Sequence, residues 1–166
     1  MPKKLENVRE LLIEEGTRLL KEEGYSKFTV RSVAKACGLG LGTVYNYFPS
    51  KDALIATYLW GDWKEHLTKM QASAGQGMER AECVYSHLQA FLAKYKPLFS
   101  DEKAKITYAN ASSNWHQQLI GQLVDVLCPA CTNDKMIGEF LAEALLTWSV
   151  KGAEFSILAP ILQKLI

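Results

Sequence analysis

Apolar positions in this chain recur at intervals of three and four residues, and no run alternates at period two over the length of a strand. That spacing marks amphipathic helices. Leu5, Val8, Leu12, Leu19 and Leu20 fall mostly on one side of a first predicted helix, which Gly24 is placed to end in a left-handed conformation. Ser50 reads as the N-cap of a long helix whose inward stripe is Ile55, Leu59, Trp63, Leu67 and Met70, fading at "ASAGQG". A further helix carries Ala81, Tyr85, Leu88, Leu92 and Tyr95, closed by Pro97, and Trp115 to Leu127 predicts a shorter one. Ile137, Leu141, Ala144 and Trp148 form another stripe that stops at Gly152. Leu158, Ile161, Leu162 and Leu165 form a last one, broken or begun near Pro160. The pattern predicts an all-α chain with a small N-terminal unit and a larger C-terminal bundle. A length of 166 residues suffices for one or two compact units with a real core.

Between the first helix and Ser50 lies a tighter pattern. Thr29 is a good N-cap, and Val30 to Cys37 makes two turns of helix. Ala34 sits mid-helix, where a second helix can cross closely only over a small side chain. Gly38 follows where a sharp turn needs positive φ, and Leu39 can plug the space between the two helices. A second short helix from about Gly40 to Phe48 then turns Val44 and Phe48 inward. Two short helices joined in this way form a helix-turn-helix, whose second helix enters the DNA major groove.

Charge sharpens that picture. The totals are near neutral, 19 Lys and Arg against 18 Asp and Glu. From Tyr25 to Lys51, however, the charged residues are Lys27, Arg31, Lys35 and Lys51, with no acid among them, whereas residues 52–166 hold 10 basic and 12 acidic residues. A local basic patch on a near-neutral chain points to a polyanion-binding face. The first residues are too densely charged for a secretory signal, and the longest uncharged run, Ile106 to Val124, is rich in Asn, Ser and Gln. Four scattered cysteines make no disulfide scaffold. A soluble, cytoplasmic protein with no membrane contact is expected.

The stretch "FTVRSVAKACGLGLGTVYNYFPSKDAL", with the preceding "LLKEEGY", resembles the DNA-binding domain of the TetR family of transcriptional regulators, over roughly Leu5 to Trp63. The resemblance implies an N-terminal three-helix DNA-binding domain in residues 1–50 and a helical effector-binding and dimerisation domain in residues 51–166. It implies phosphate contacts from Thr29, Tyr45, Tyr47 and Lys51 and from backbone N–H groups at the starts of the second and fourth helices, with Arg31 as a further cation of the same face. Gly42 would allow close approach to DNA, and Thr43 and Asn46 could reach base edges. Gly40 and Leu41 depart from the family's usual polar side chains, although Leu41 could pack on a thymine methyl.

The same resemblance implies a homodimer built by the last two helices, and "FLAEALLTWSV" and "FSILAPILQKLI" are apolar enough for it. Two reading heads about 34–36 Å apart then call for double-stranded DNA with a near-palindromic operator. It also implies a repressor released by a small-molecule effector, apolar or aromatic in character, with Trp60, Trp63, Tyr85, Tyr95, Tyr108, Trp115 and Trp148 as candidate lining residues. Plain core packing is the competing expectation for each of them.

"CPAC", Cys128 to Cys131, could hold a metal, form a disulfide, or be two ordinary thiols at a helix end. A structural zinc site needs four ligands, and no second such pair or H-x₃-H is present. Hence no metal or cofactor is expected, and a redox- or metal-responsive regulator using Cys128 and Cys131 is the alternative reading. A helical small-molecule-binding protein without DNA binding is another, suggested by Gly40 and Leu41. Enzyme signatures such as G-x-S-x-G, H-E-x-x-H and the Walker loop are absent, so catalysis is not expected.

Overall fold

The computed structural model describes residues 7–104, 112–127 and 135–165. Leu5, Tyr108, Cys128 and Cys131, singled out above, lie outside them. Every regular element among the described residues is a helix: α1 Val8–Lys27, α2 Val30–Ala36, α3 Leu41–Tyr47, α4 Lys51–Ala72, α5 Met78–Lys94, α6 Lys96–Phe99, α7 Ser112–Leu127, α8 Lys135–Lys151 and α9 Phe155–Leu162. The chain divides into two units, one of residues 1–62 with 97–105 and one of residues 63–96 with 106–166. No described helix is long and apolar enough to cross a membrane.

The first unit is built around Leu12, Leu19, Leu20, Phe28, Val33, Val44, Phe48, Leu54, Ile55 and Tyr58, all buried. Burying one such aliphatic or aromatic side chain is worth about 1.5–3 kcal/mol, which is what holds two seven-residue helices too short to persist alone. Gly24 takes φ 73° as its position predicts, but the chain bends there instead of stopping. Tyr25 to Lys27 add another turn, and the Phe28 N–H returns to the Gly24 carbonyl at 3.1 Å. That extra turn carries Tyr25 inward. Gly16, on the buried face of α1, lets Tyr58 lie against the helix backbone: a Cβ at Gly16 would stand 1.7 Å from the Tyr58 hydroxyl oxygen.

Ser50 caps α4, accepting the Ala53 N–H at 3.0 Å, and the predicted stripe from Ile55 to Met70 is buried throughout. In the second unit α5 sets Ala81, Val84, Tyr85 and Leu88 inward. Pro97 lies inside the single turn of α6, so helical structure continues past it. Gly138 lets α8 pack closely on α7, since a Cβ there would meet a Val124 methyl at 3.3 Å. Arg80 is buried and donates to the carbonyls of Gly75 and Ser73, each at 2.8 Å, and of Val126 at 3.4 Å. The Val126 carbonyl is in the last turn of α7, where unpaired carbonyls carry partial negative charge and suit a buried guanidinium. Along α9, Leu158 and Leu162 face inward while Ile161 and Leu165 stay exposed, so only half of that predicted stripe belongs to the core of its own chain.

Candidate nucleic-acid interface

Helix α2 begins at Thr29, whose extended backbone lets its side chain accept the Ser32 N–H at 3.0 Å. The Ser32 hydroxyl reciprocates, accepting the Thr29 N–H at 3.2 Å. Ser32 completes a capping box, and "TVRS" was its only sequence signal. At the other end of α2 the Gly38 N–H donates to the Lys35 carbonyl at 3.2 Å, and the Leu39 N–H to the Ala34 carbonyl at 2.9 Å. With Gly38 at φ 65°, this is a Schellman turn. Its sharpness aims α3 away from α2 at a fixed angle.

Val44 and Phe48 anchor α3 to the core, as i, i+4 residues on its inner face. The residues between them turn outward. Tyr45 is 48% and Tyr47 45% exposed, with Asn46 exposed between them and Gly42 exposed one turn earlier. Thr43 and Leu41 are half-buried, and Arg31 and Lys35 of α2 are exposed, as is Lys27 at the end of α1. The outer face of α3 therefore offers two phenols, an amide and a glycine gap, flanked by cations. The exposed Arg9 of α1 is a further cation of this unit, with its guanidinium 5.6 Å from the Phe48 ring centre. Arg9 lies 39 positions before Phe48, so no local pattern could have marked it.

Lys51 is placed differently from the tyrosines. It is half-buried, its ammonium lies 3.7 Å from the centre of the Tyr25 ring, and it donates to the Tyr25 carbonyl. Burial lowers its pKa, an effect that the nearby Asp52 and Asp101 carboxylates oppose. The Tyr25 hydroxyl in turn donates to Asp52 at 2.9 Å, so Tyr25 ties the end of α1 to the start of α4. Asp101 brings an acid to one edge of the basic segment, accepting from the Ser26 hydroxyl at 2.6 Å. That hydrogen bond, with the Lys103 and Ala104 N–H groups, holds its pKa below the usual carboxylate value.

Six of the candidate effector residues lie among the described residues. Trp63 and Tyr95 are buried and both meet Phe91, with ring centres 5.3 Å and 5.0 Å from it, and Trp63 donates to Gln122 at 2.8 Å. Tyr85 is buried elsewhere, donating to the Ala153 carbonyl at 2.6 Å. Trp60 is half-buried, as is Trp148, which lies under the Lys151 ammonium, and Trp115 is exposed. A surface groove of about 740 Å³ between α7 and α8 is lined by other residues, among them Ile120, Val124, Met136 and Phe140, with the His116–Glu143 pair at its rim. Among the described residues, no group of three or more His, Cys, Asp or Glu side chains could hold a metal ion, and Cys37 and Cys83 are free thiols.

Residues 12–58 match the tetR family of bacterial regulatory proteins. The HTH-type transcriptional repressor KstR of Rhodococcus jostii (strain RHA1) is 24% identical over 128 residues, which span 76% of this chain and 60% of that one. The HTH-type transcriptional regulator YuxN of Bacillus subtilis (strain 168) is 41% identical over 49 residues, 30% of this chain and 17% of its own length. The chain thus spans less than two thirds of either relative. A TetR transcriptional regulator from Legionella pneumophila shares the fold with a TM-score of 0.56 at 17% identity, over 98% of this chain and 99% of that one.

Proposed function

We propose, on the premise that the N-terminal helices are a TetR-type DNA-binding domain, that this chain is a sequence-specific transcriptional regulator, a repressor released from its operator by a small molecule. In this mechanism α3 lies in the major groove. Asn46 and Thr43 read base edges, Gly42 lets the helix backbone approach, and Leu41 covers a thymine methyl. Tyr45 and Tyr47 donate to phosphates on either side of the groove, while Thr29, Arg31 and Lys51 add contacts to the backbone.

One observation carries the proposal: Tyr45 and Tyr47 stand half out of the fold on a helix whose neighbours Val44 and Phe48 are sealed in it. Tyrosines placed for packing alone would not present their rings to water in this way. Homodimerisation through α8 and α9 is part of the same proposal. Its support is Met136, Phe140, Val150, Ile157 and Ile161, five large apolar side chains left exposed on those two helices. The effector is an apolar or aromatic compound held in the bundle, and the protein acts in the cytoplasm on double-stranded DNA with a near-palindromic operator.

The test is a selection from a random duplex library followed by anisotropy titration of the winning duplex. Binding that falls with salt, and that drops sharply on replacing Tyr45 and Tyr47 together by alanine, supports the proposal. No retention of any duplex at low salt overturns it.

A further inference from the structure

In the bundle unit, His66 of α4 and His87 of α5 bring their Nδ1 atoms to 2.8 Å. Both rings are half-buried. At that separation one Nδ1 carries a hydrogen and the other presents its lone pair, so the acceptor ring has its own hydrogen on Nε2. A first added proton can settle on the Nε2 of the donor ring and leave the contact intact. A second has only the acceptor's Nδ1 to take. Two N–H groups cannot face each other at hydrogen-bond distance, so the doubly charged pair must part.

The surroundings resist charge on the pair. The Trp63 ring stacks on His66 at 6.5 Å between centres, and Phe91 meets it edge-on at 5.9 Å. For His87, burial, His66 and Lys69 all lower the pKa from its ordinary 6.5, in that order of weight. One helical turn from the pair along the chain stand Asp62 and Lys69 on α4 and Cys83 on α5. The contact joins α5 to the same continuous helix, Lys51–Ala72, that begins four residues beyond Tyr47.

We propose that the His66–His87 contact is an acid-operated latch, which ties α4 to α5 while the pair carries at most one extra proton, and whose opening by the second proton lowers the affinity for DNA. The last clause rests on the regulator reading above. A lowered histidine pKa means that the folded state binds fewer protons than the unfolded one. The contribution of the latch is therefore complete at neutral pH and is lost as the pH falls below about 6.5.

The test uses the full chain and a labelled duplex selected at about pH 7.5, titrated there and at about pH 5.5 at one ionic strength. The unaltered protein should lose about fivefold or more in affinity beyond the loss shown by His87→Phe and by His66→Asn, two variants that keep either the aromatic packing or the polar contact. Imidazole NMR should show one ring of the pair titrating at least about one unit below the other. Equal losses in all three proteins, or two rings titrating together, would overturn the latch while DNA binding stands. Failure of every protein to hold a duplex at the higher pH would bring down the regulator reading, and the control of DNA affinity with it.

Discussion

The Lys51 ammonium lies over the Tyr25 ring, 3.7 Å from its centre, and donates to the carbonyl of the same residue. Tyr25 thus holds the one basic side chain of the candidate interface that is drawn partly into the fold, at the first residue of α4. The arrangement fixes where a phosphate would find that charge. Lys51→Met should lower affinity for specific and random duplexes alike and make the slope of log K against log salt shallower by about one for each site. Tyr25→Phe keeps the ring beneath Lys51 and loses the hydroxyl bond to Asp52. It should cost about 1 kcal/mol of stability in urea melts and leave the salt slope unchanged. Equal slopes for Lys51→Met and the unaltered protein would remove Lys51 from the phosphate contacts.

Gly38 and Gly16 are required for opposite reasons. At Gly38 a Cβ would meet nothing within 4 Å, but φ is 65°. Gly38→Ala should therefore cost about 1–2 kcal/mol through backbone strain alone, and Gly38→Asn should cost less, because asparagine tolerates the left-handed region. At Gly16 the backbone is ordinary helix and the space is filled, with the Tyr58 hydroxyl oxygen 1.7 Å and its ring carbon 2.5 Å from where a methyl would stand. Gly16→Ala should then be the more damaging change, and Tyr58→Leu in the same chain should recover part of the loss. Urea melts of these variants and of Tyr58→Leu alone would show it. Additive losses for the Gly16 and Tyr58 changes would mean that the two residues are not in contact.

How far these features could be read in advance depended on how local they are. The stripe from Ile55 to Met70, the Ser50 cap and the turn at Gly38 are set by spacing within one helix or one turn, and the structure has each of them. The bend at Gly24 was visible as a glycine, but the turn that follows it was not. It forms because Tyr25 reaches Asp52 and Phe28 enters the core. Arg9 beside Phe48, Asp101 on Ser26 and Arg80 on the Val126 carbonyl join residues 39, 75 and 46 positions apart. No periodicity pairs such residues. In the candidate interface, Val44 and Phe48 could be told from Tyr45 and Tyr47 by helical register alone, whereas the partial burial of Lys51 could not.

Tyr58 supports a prediction about alkaline pH. Its hydroxyl is buried with no hydrogen-bond partner among the described residues, and burial, aided by Cys37, pushes its pKa far above the ordinary 10. A phenol whose pKa is raised by folding contributes stability that is complete below the unfolded value. That contribution disappears as the pH rises beyond about 10, because the unfolded chain can ionise and the folded one cannot. Stability should fall above that pH in the unaltered protein and fall less in Tyr58→Phe. At neutral pH Tyr58→Phe should be neutral or slightly stabilising, since it removes a polar group that makes no bond. Urea melts at neutral and alkaline pH would decide. A loss of more than about 1 kcal/mol at neutral pH would mean that the hydroxyl has a partner.

The exposed side of α9 leads to a prediction about assembly. Ile157 and Ile161 lie one turn apart on its outer face, while Leu158 and Leu162 on the opposite face are buried. Isolated exposed isoleucines are ordinary, but two in register on α9, with Phe140 and Val150 also exposed on α8, are more than a folded monomer needs. If a second copy covers them, Ile161→Glu places a charge in an apolar interface and should shift the protein from dimer to monomer in sedimentation at micromolar concentration. The helical content should not change, because the residue makes no contribution to the core of its own chain. Affinity for a near-palindromic duplex should then fall much more than affinity for a single half-site, since the coupling between two reading heads is what the monomer loses. An unchanged sedimentation coefficient in Ile161→Glu, with the palindrome still preferred, would place the dimer contact on another surface.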